Sequence, residues 1–142
     1  MSYATYQKIG KDPEEPSPES QAVIPHVKTL EERKDVISRY PLVVIDYYTD
    51  WCGPCKACAP KFAQIAQKYQ ANGVAFLKED AELQFGDHPP IRGVPTFHFY
   101  FKGKILKDLT VVGADVEKVE EHIQGIIKAT KDKEENNQTE KV

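Results

Sequence analysis

The apolar positions of this chain change period several times, and each change marks a predicted element. Leu42-Val43-Val44-Ile45-Asp46-Tyr47-Tyr48 is almost continuous in β-branched and aromatic residues. That pattern predicts a central strand buried on both faces. Upstream, Thr29 and Glu32 form a capping box for a helix reaching about residue 39, with Leu30, Ile37 and Arg33 on one face. Pro41 closes it. Ala22-Val23-Ile24 reads as a short edge strand, where the following Pro25 is tolerated. After the central strand the period becomes helical. Phe62, Ile65, Ala66 and Tyr69 form the stripe of a long helix beginning at Cys52, with a kink expected at Pro60.

Val74-Ala75-Phe76-Leu77-Lys78 predicts the next strand. Residues 96–101 and 105–111 predict two strands joined across Lys102-Gly103-Lys104 as a hairpin. Val116, Val119, Ile123, Ile126 and Ile127 recur at helical spacing in a last helix starting near Asp115. The first half of this order requires parallel crossovers, and the second half is antiparallel. The expected class is therefore α/β, with a mixed sheet covered by helices on both faces.

Composition divides the chain into three. Residues 1–21 include Lys11-Asp12-Pro13-Glu14-Glu15-Pro16-Ser17-Pro18-Glu19-Ser20, an acidic, Pro-rich stretch expected to be disordered because it buries too little apolar surface to offset its ordering entropy. Residues 22–129 form the expected domain, and 130–142 a charged, flexible tail. With 142 residues, 40% of them hydrophobic, the chain has room for one domain with a full core. A formal charge of −3 gives no basic surface for nucleic acid. No apolar run approaches a membrane span, and residues 1–12 lack the apolar core of a secretory signal. Three cysteines, two of them in a redox-type spacing, fit a reducing compartment, and the cytoplasm is the expected location.

The chemistry concentrates in Trp51-Cys52-Gly53-Pro54-Cys55-Lys56, between the central strand and the long helix. A cysteine at a helix start meets unpaired N–H groups and the positive end of the helix dipole, both of which stabilise a thiolate. Cys55, one turn on, points back toward Cys52 and is placed to close a small ring with it. Pro54 suits the first turn, where its missing N–H breaks no helix bond. Asp46, six residues before Cys52, is a carboxylate inside the most apolar strand. Desolvation there raises its pKa, at about 1.4 kcal/mol for each unit.

These motifs together resemble a thioredoxin. The resemblance covers about residues 22–129 and rests on Ile45-Asp46, Trp51 to Lys56, Ala59-Pro60, Arg92-Gly93-Val94-Pro95-Thr96 and Val112-Gly113-Ala114. It implies the thioredoxin fold, with about five strands and about four helices. It also implies a protein-disulfide reductase in which Cys52 attacks and Cys55 resolves, the pair cycling through a Cys52–Cys55 disulfide. Asp46 is then the general base for Cys55, and Lys78 the lysine that pairs with it. Pro95 is expected in a cis peptide bond after Val94. Trp51, Gly53, Pro54, Val94, Pro95, Val112, Gly113 and Ala114 would frame a shallow apolar groove for an extended client. The chain has no nucleotide fingerprint and needs no cofactor of its own, so electrons would arrive from a thioredoxin reductase or an equivalent donor. The absence of histidine between the cysteines favours a reductant.

Other readings weigh against these. A zinc half-site at Cys52 and Cys55 needs two further ligands, and the sequence has no second Cys-x-x-Cys or close histidine pair. Cys52, Cys55 and Cys58 are spaced as in iron–sulfur ligation, but a fourth cysteine is missing. Cys58 reads as a small buried hydrophobe, with a regulatory or intermolecular disulfide as the alternative. The protein is therefore expected to be a monomer, or a dimer through Cys58. Lys78 also reads as an ordinary strand-end lysine. A scaffold that mainly holds one partner, with redox turnover secondary, is the competing function. Finally, the 79–90 segment looks short for the family and holds Pro89-Pro90, so the family's third helix is expected to shrink to a turn or loop.

Overall fold

The computed structural model describes residues 23–140, with side chains through residue 134. Its elements run α1 (Leu30–Arg39), β1 (Leu42–Tyr48), α2 (Gly53–Tyr69), β2 (Val74–Asp80), β3 (Thr96–Phe101), β4 (Lys104–Ile105), β5 (Val111–Val112) and α3 (Val116–Glu140). Single 3-10 turns occupy Gln70–Asn72, Ala81–Leu83 and Lys107–Leu109.

β1 lies at the centre, as its almost continuous apolar run requires. β2 pairs with it in parallel, β3 in antiparallel, and the sheet order is β2-β1-β3-β4, with β5 also on β3. A parallel pair needs a crossover, and α2 supplies it. Alternation then sends successive side chains to opposite faces. Leu42 and Val44 join Phe76, Phe97 and Phe99 against Phe62 and Ala66 of α2 and Val119 and Ile123 of α3. Val43, Ile45 and Tyr47 join Ala75, Leu77 and Tyr100 against Val36 of α1.

The second core contains polar groups. Arg33 of α1 and Glu79 of β2 are each 1% exposed and form a two-pronged ion pair, Nε to Oε1 at 2.8 Å and Nη2 to Oε2 at 3.0 Å. His98 is buried beside the rings of Tyr47 and His88, at centroid distances of 4.9 and 5.9 Å. Burial, with His88 and Arg33 adding to it, lowers the His98 pKa to about 4.

Several expectations need correction. Residues 23 and 24 are not a strand, and Ala22 lies outside the described residues. The edge pairing falls at His26, which bridges Lys78 in parallel. There Val27 N–H donates to the Lys78 carbonyl and Lys78 N–H to that of Pro25, so Pro25 serves through the acceptor it retains. On α1 the buried residues are Arg33 and Val36, while Leu30 and Ile37 are only partly covered. The hairpin turn is tighter than expected, because Lys102 (φ 50°) and Gly103 (φ 86°) both adopt the left-handed region. That is the twist a two-residue hairpin loop needs. The returning strand is split in two, because the 3-10 turn at Lys107–Leu109 directs Leu106 and Leu109 into the α2-side core. The family's third helix is, as expected, reduced to a turn, the 3-10 turn at Ala81–Leu83, which leaves three α-helices among the described residues. α3 runs through Glu140, past residue 129, since its last residues lack Gly and Pro and are rich in helix formers.

Candidate active site

α2 begins where the chain leaves β1, and Cys52 is its N-cap, with extended backbone (φ −82°, ψ 108°). Its sulfur takes the place of a capping oxygen and accepts the Cys55 N–H at 3.1 Å. Pro54 sits in the first turn, which carries no acidic residue to oppose a negative sulfur. Cys52 and Cys55 are joined in a disulfide, with Cα atoms 5.3 Å apart. Cys52 is only 3% exposed in this form, whereas the neighbouring Trp51 is 70% exposed.

Asp46 on β1 is fully buried, with no hydrogen-bond partner for either carboxylate oxygen among the described residues, and its charge reaches Cys58, one turn after Cys55. Burial raises its pKa to about 7, and Lys78 pulls in the other direction. Lys78 is the register partner of Asp46 across the parallel pair, so both project from the same face of the sheet. Its ammonium lies 5.2 Å from the Tyr48 ring centroid, a cation–π contact. Cys58 is a free, buried thiol in the same core, its Sγ directed at the Cys55 carbonyl at 3.5 Å. Burial, and then the Asp46 carboxylate, raise its pKa to about 11. This matches the reading of Cys58 as a small hydrophobe.

The opposite wall comes from β3 and β5. The Val94–Pro95 peptide bond is cis. Thr96 pairs with Tyr47, which sets Pro95 beside the end of β1 where the chain turns toward Cys52. Gly113 N–H donates to the Pro95 carbonyl at 2.8 Å, and Gly113 holds φ at 106°, a value that favours glycine. Gly93 lies close to Val112, whose Cγ1 is 3.6 Å from where a Cβ would stand. Val112 is 64% exposed, and Ala114 precedes α3, its carbonyl accepting Val116 N–H. A Cβ on Gly53 would meet nothing, so that side of Cys52 is open. The structure thus joins the Val94–Pro95 segment to Val112–Gly113 and holds Asp46 and Lys78 as register partners.

One residue at this site was not anticipated. Glu82, in the Ala81–Leu83 turn, accepts the Trp51 indole N–H at 3.2 Å and fixes the ring that the sequence marked only as groove lining. An acidic residue in a turn just beyond a strand end gave no local sign of it.

A sulfur pair that closes a ring at the start of the crossover helix, with a buried carboxyl on the strand before it, defines a dithiol–disulfide oxidoreductase. The family model named thioredoxin matches residues 24–128, and the chain belongs to the thioredoxin family. It is 36% identical over 99 residues to the thioredoxin of Neurospora crassa, covering 66% of this chain and 78% of that protein. It is 32% identical over 104 residues to thioredoxin-1 of Schizosaccharomyces pombe, covering 72% and 97%. Among solved structures, mitochondrial thioredoxin 3 from Saccharomyces cerevisiae in its oxidized form is similar, with a TM-score of 0.65 and 28% identity over 72% of this chain and 94% of that one. Thioredoxin F from spinach chloroplast gives 0.63 at 33% identity, covering 72% and 84%. The protein is a thiol–disulfide oxidoreductase that reduces protein disulfides through reversible oxidation of its Cys52–Cys55 dithiol.

Proposed function

We propose that the protein works as a reductant whose individual steps divide among the residues assembled around Cys52. The Cys52 thiolate attacks one sulfur of a client disulfide. The client S–S bond breaks, a Cys52–client disulfide forms, and the second client sulfur leaves as a thiolate and takes up a proton. Asp46 removes the proton from Cys55, whose sulfur then attacks Cys52 Sγ. The mixed disulfide breaks, the remaining client thiolate departs, and the Cys52–Cys55 disulfide is left. A carboxyl held near pH 7 by burial exchanges a proton in either direction at neutral pH, which supports this role. Lys78, on the same face, keeps the carboxylate form accessible by opposing the burial effect.

Trp51, Gly53, Pro54, Val94, Pro95, Val112, Gly113 and Ala114 form the client surface in this reading. The exposed Trp51 and Val112 supply apolar contact, and the backbone at Val94 pairs with an extended segment. The electron donor is a thioredoxin reductase or an equivalent protein, and the compartment is a reducing one, the cytoplasm in our reading.

The observation that carries this mechanism is the Cys52–Cys55 disulfide capping α2. Cys52→Ser is expected to abolish insulin-disulfide reduction with dithiothreitol or with a reductase system. Cys55→Ser should form mixed disulfides with clients and fail to release them. Retained turnover in Cys52→Ser sinks the mechanism, and rapid release by Cys55→Ser removes Cys55 as the resolving thiol.

A further inference from the structure

The connection from β2 to β3 touches the groove at both ends. Near its start, Glu82 holds the Trp51 indole, and at its end the cis Val94–Pro95 bond is fastened to Gly113. Between them, residues 84–94 have no regular structure, and the backbone passes through left-handed conformations at Gln84, Gly86 and Asp87. A segment of this kind lacks the internal ladder that would fix its shape. The hydrogen bonds that tie its middle down come from α1, which packs on the same core as Phe85 and Ile91 of this segment. Arg33 Nη2 donates to the Gly86 carbonyl at 2.7 Å and Nη1 to that of Asp87 at 3.2 Å, while Nε and Nη2 hold Glu79. One buried guanidinium therefore links α1, the end of β2 and the crest of the loop. Its planar fork is suited to this, because the donors diverge at fixed angles. Lys34 reaches Asp87 as well, but that pair is exposed and screened.

We propose that Arg33 is a positioning residue for client binding. By gripping the carbonyls of Gly86 and Asp87, it sets the course of the loop and thereby the spacing between the Trp51 wall and the Val94–Pro95 wall. It touches neither client nor sulfur. The role rests on the reading of Trp51 and Val94–Pro95 as the client surface.

Two variants separate this role from simple support of the fold. Arg33→Lys keeps a cation opposite Glu79, but its single ammonium cannot serve the carboxylate and both carbonyls together. The double variant Arg33→Leu/Glu79→Leu replaces the buried pair with apolar side chains, a change that generally retains stability, and it leaves the loop carbonyls without their donor. Each variant, reduced, is assayed against insulin and against dithiodipyridine, a small disulfide that needs no groove. A loss of positioning is expected to raise the KM for insulin about fivefold or more with kcat little changed. The dithiodipyridine rate and the Cys52–Cys55 potential should stay at wild-type values. An unchanged insulin KM in the folded double variant overturns the proposal, as does an equal loss against both disulfides. Trp51→Ala is the control for the underlying reading. If it raises the insulin KM while the Arg33 variants do not, the client surface stands and the Arg33 role fails. If it has no effect, the client surface itself is wrong and the proposal falls with it.

Discussion

Replacing Asp46 with Asn tests the central electrostatic claim, because it removes a charge and preserves shape. Burial moves this carboxyl from an ordinary 3.8 to about 7, with no hydrogen bond to offset the cost. Between those values the unfolded chain has released the proton while the folded protein still holds it. The Asp46 contribution to folding stability therefore falls as pH rises across this window, and what it supplies below pH 3.8 is lost once pH passes 7. At about 1.4 kcal/mol per pKa unit, the full span is about 4 kcal/mol. Asn has no proton to lose. Oxidised Asp46→Asn should therefore match the wild type near pH 4 and exceed it by up to about 4 kcal/mol at pH 8. Urea denaturation of both oxidised proteins at half-unit pH steps measures the difference directly, and other titrating groups cancel in it. A stability difference that is constant from pH 4 to 8 would refute the assignment of a raised pKa to Asp46. The same variant should release Cys52–client disulfides more slowly at neutral pH, because Cys55 loses its base.

Three further outcomes follow from packing and charge. In the reduced, folded protein, iodoacetamide at pH 8 should label Cys52, at the head of α2, and spare Cys58, whose thiol is buried in the α2-side core and has its pKa raised to about 11. Mass spectrometry showing equal labelling would contradict that burial. Arg33→Leu alone leaves Glu79 charged and buried, and should cost about 3–5 kcal/mol, most of it recovered when Glu79→Leu is added; chemical denaturation of the single and double variants checks both numbers. Thr29→Ala removes the side-chain bond to Glu32 N–H at 3.1 Å and should cost about 1 kcal/mol, read as a lower urea midpoint with an unchanged m-value.

Much of this architecture was legible in the order of residues. The run Leu42 to Tyr48 announced a strand covered on both sides, and the Thr29–Glu32 box fixed the start of α1 to the residue. Cys52 at the head of α2 was evident because a strand pattern gives way there to a helical one. The failures have physical causes. Arg33 and Glu79 stand 46 residues apart. Arg33 fell on the expected α1 stripe, but Glu79 stood one residue past the strand expected to end at Lys78, so the alternation of Ala75 and Leu77 was not carried on to it. Two opposite charges on facing apolar surfaces are a signal for a buried pair, but only once the strands are in register. The break at Lys107–Leu109 was hidden because Leu106 and Leu109 are as apolar as strand residues. The helical tail was missed because the same charged residues suit both a solvated helix and a coil.

The two faces of the sheet also differ in how they bind protons. Asp46 on the α2 side holds a proton up to about pH 7, and His98 on the α1 side refuses one down to about pH 4. When the chain unfolds between those limits, the aspartate releases a proton and the histidine, below its ordinary 6.5, takes one up. The two exchanges nearly cancel, so unfolding between about pH 4 and 6.5 moves almost no net protons to or from solvent at these sites. Either group alone would tilt the stability of the fold with acidity, in opposite directions. Together they buffer it, and the reductant keeps an ionisable acid buried in its central strand without making its fold depend steeply on mildly acidic pH.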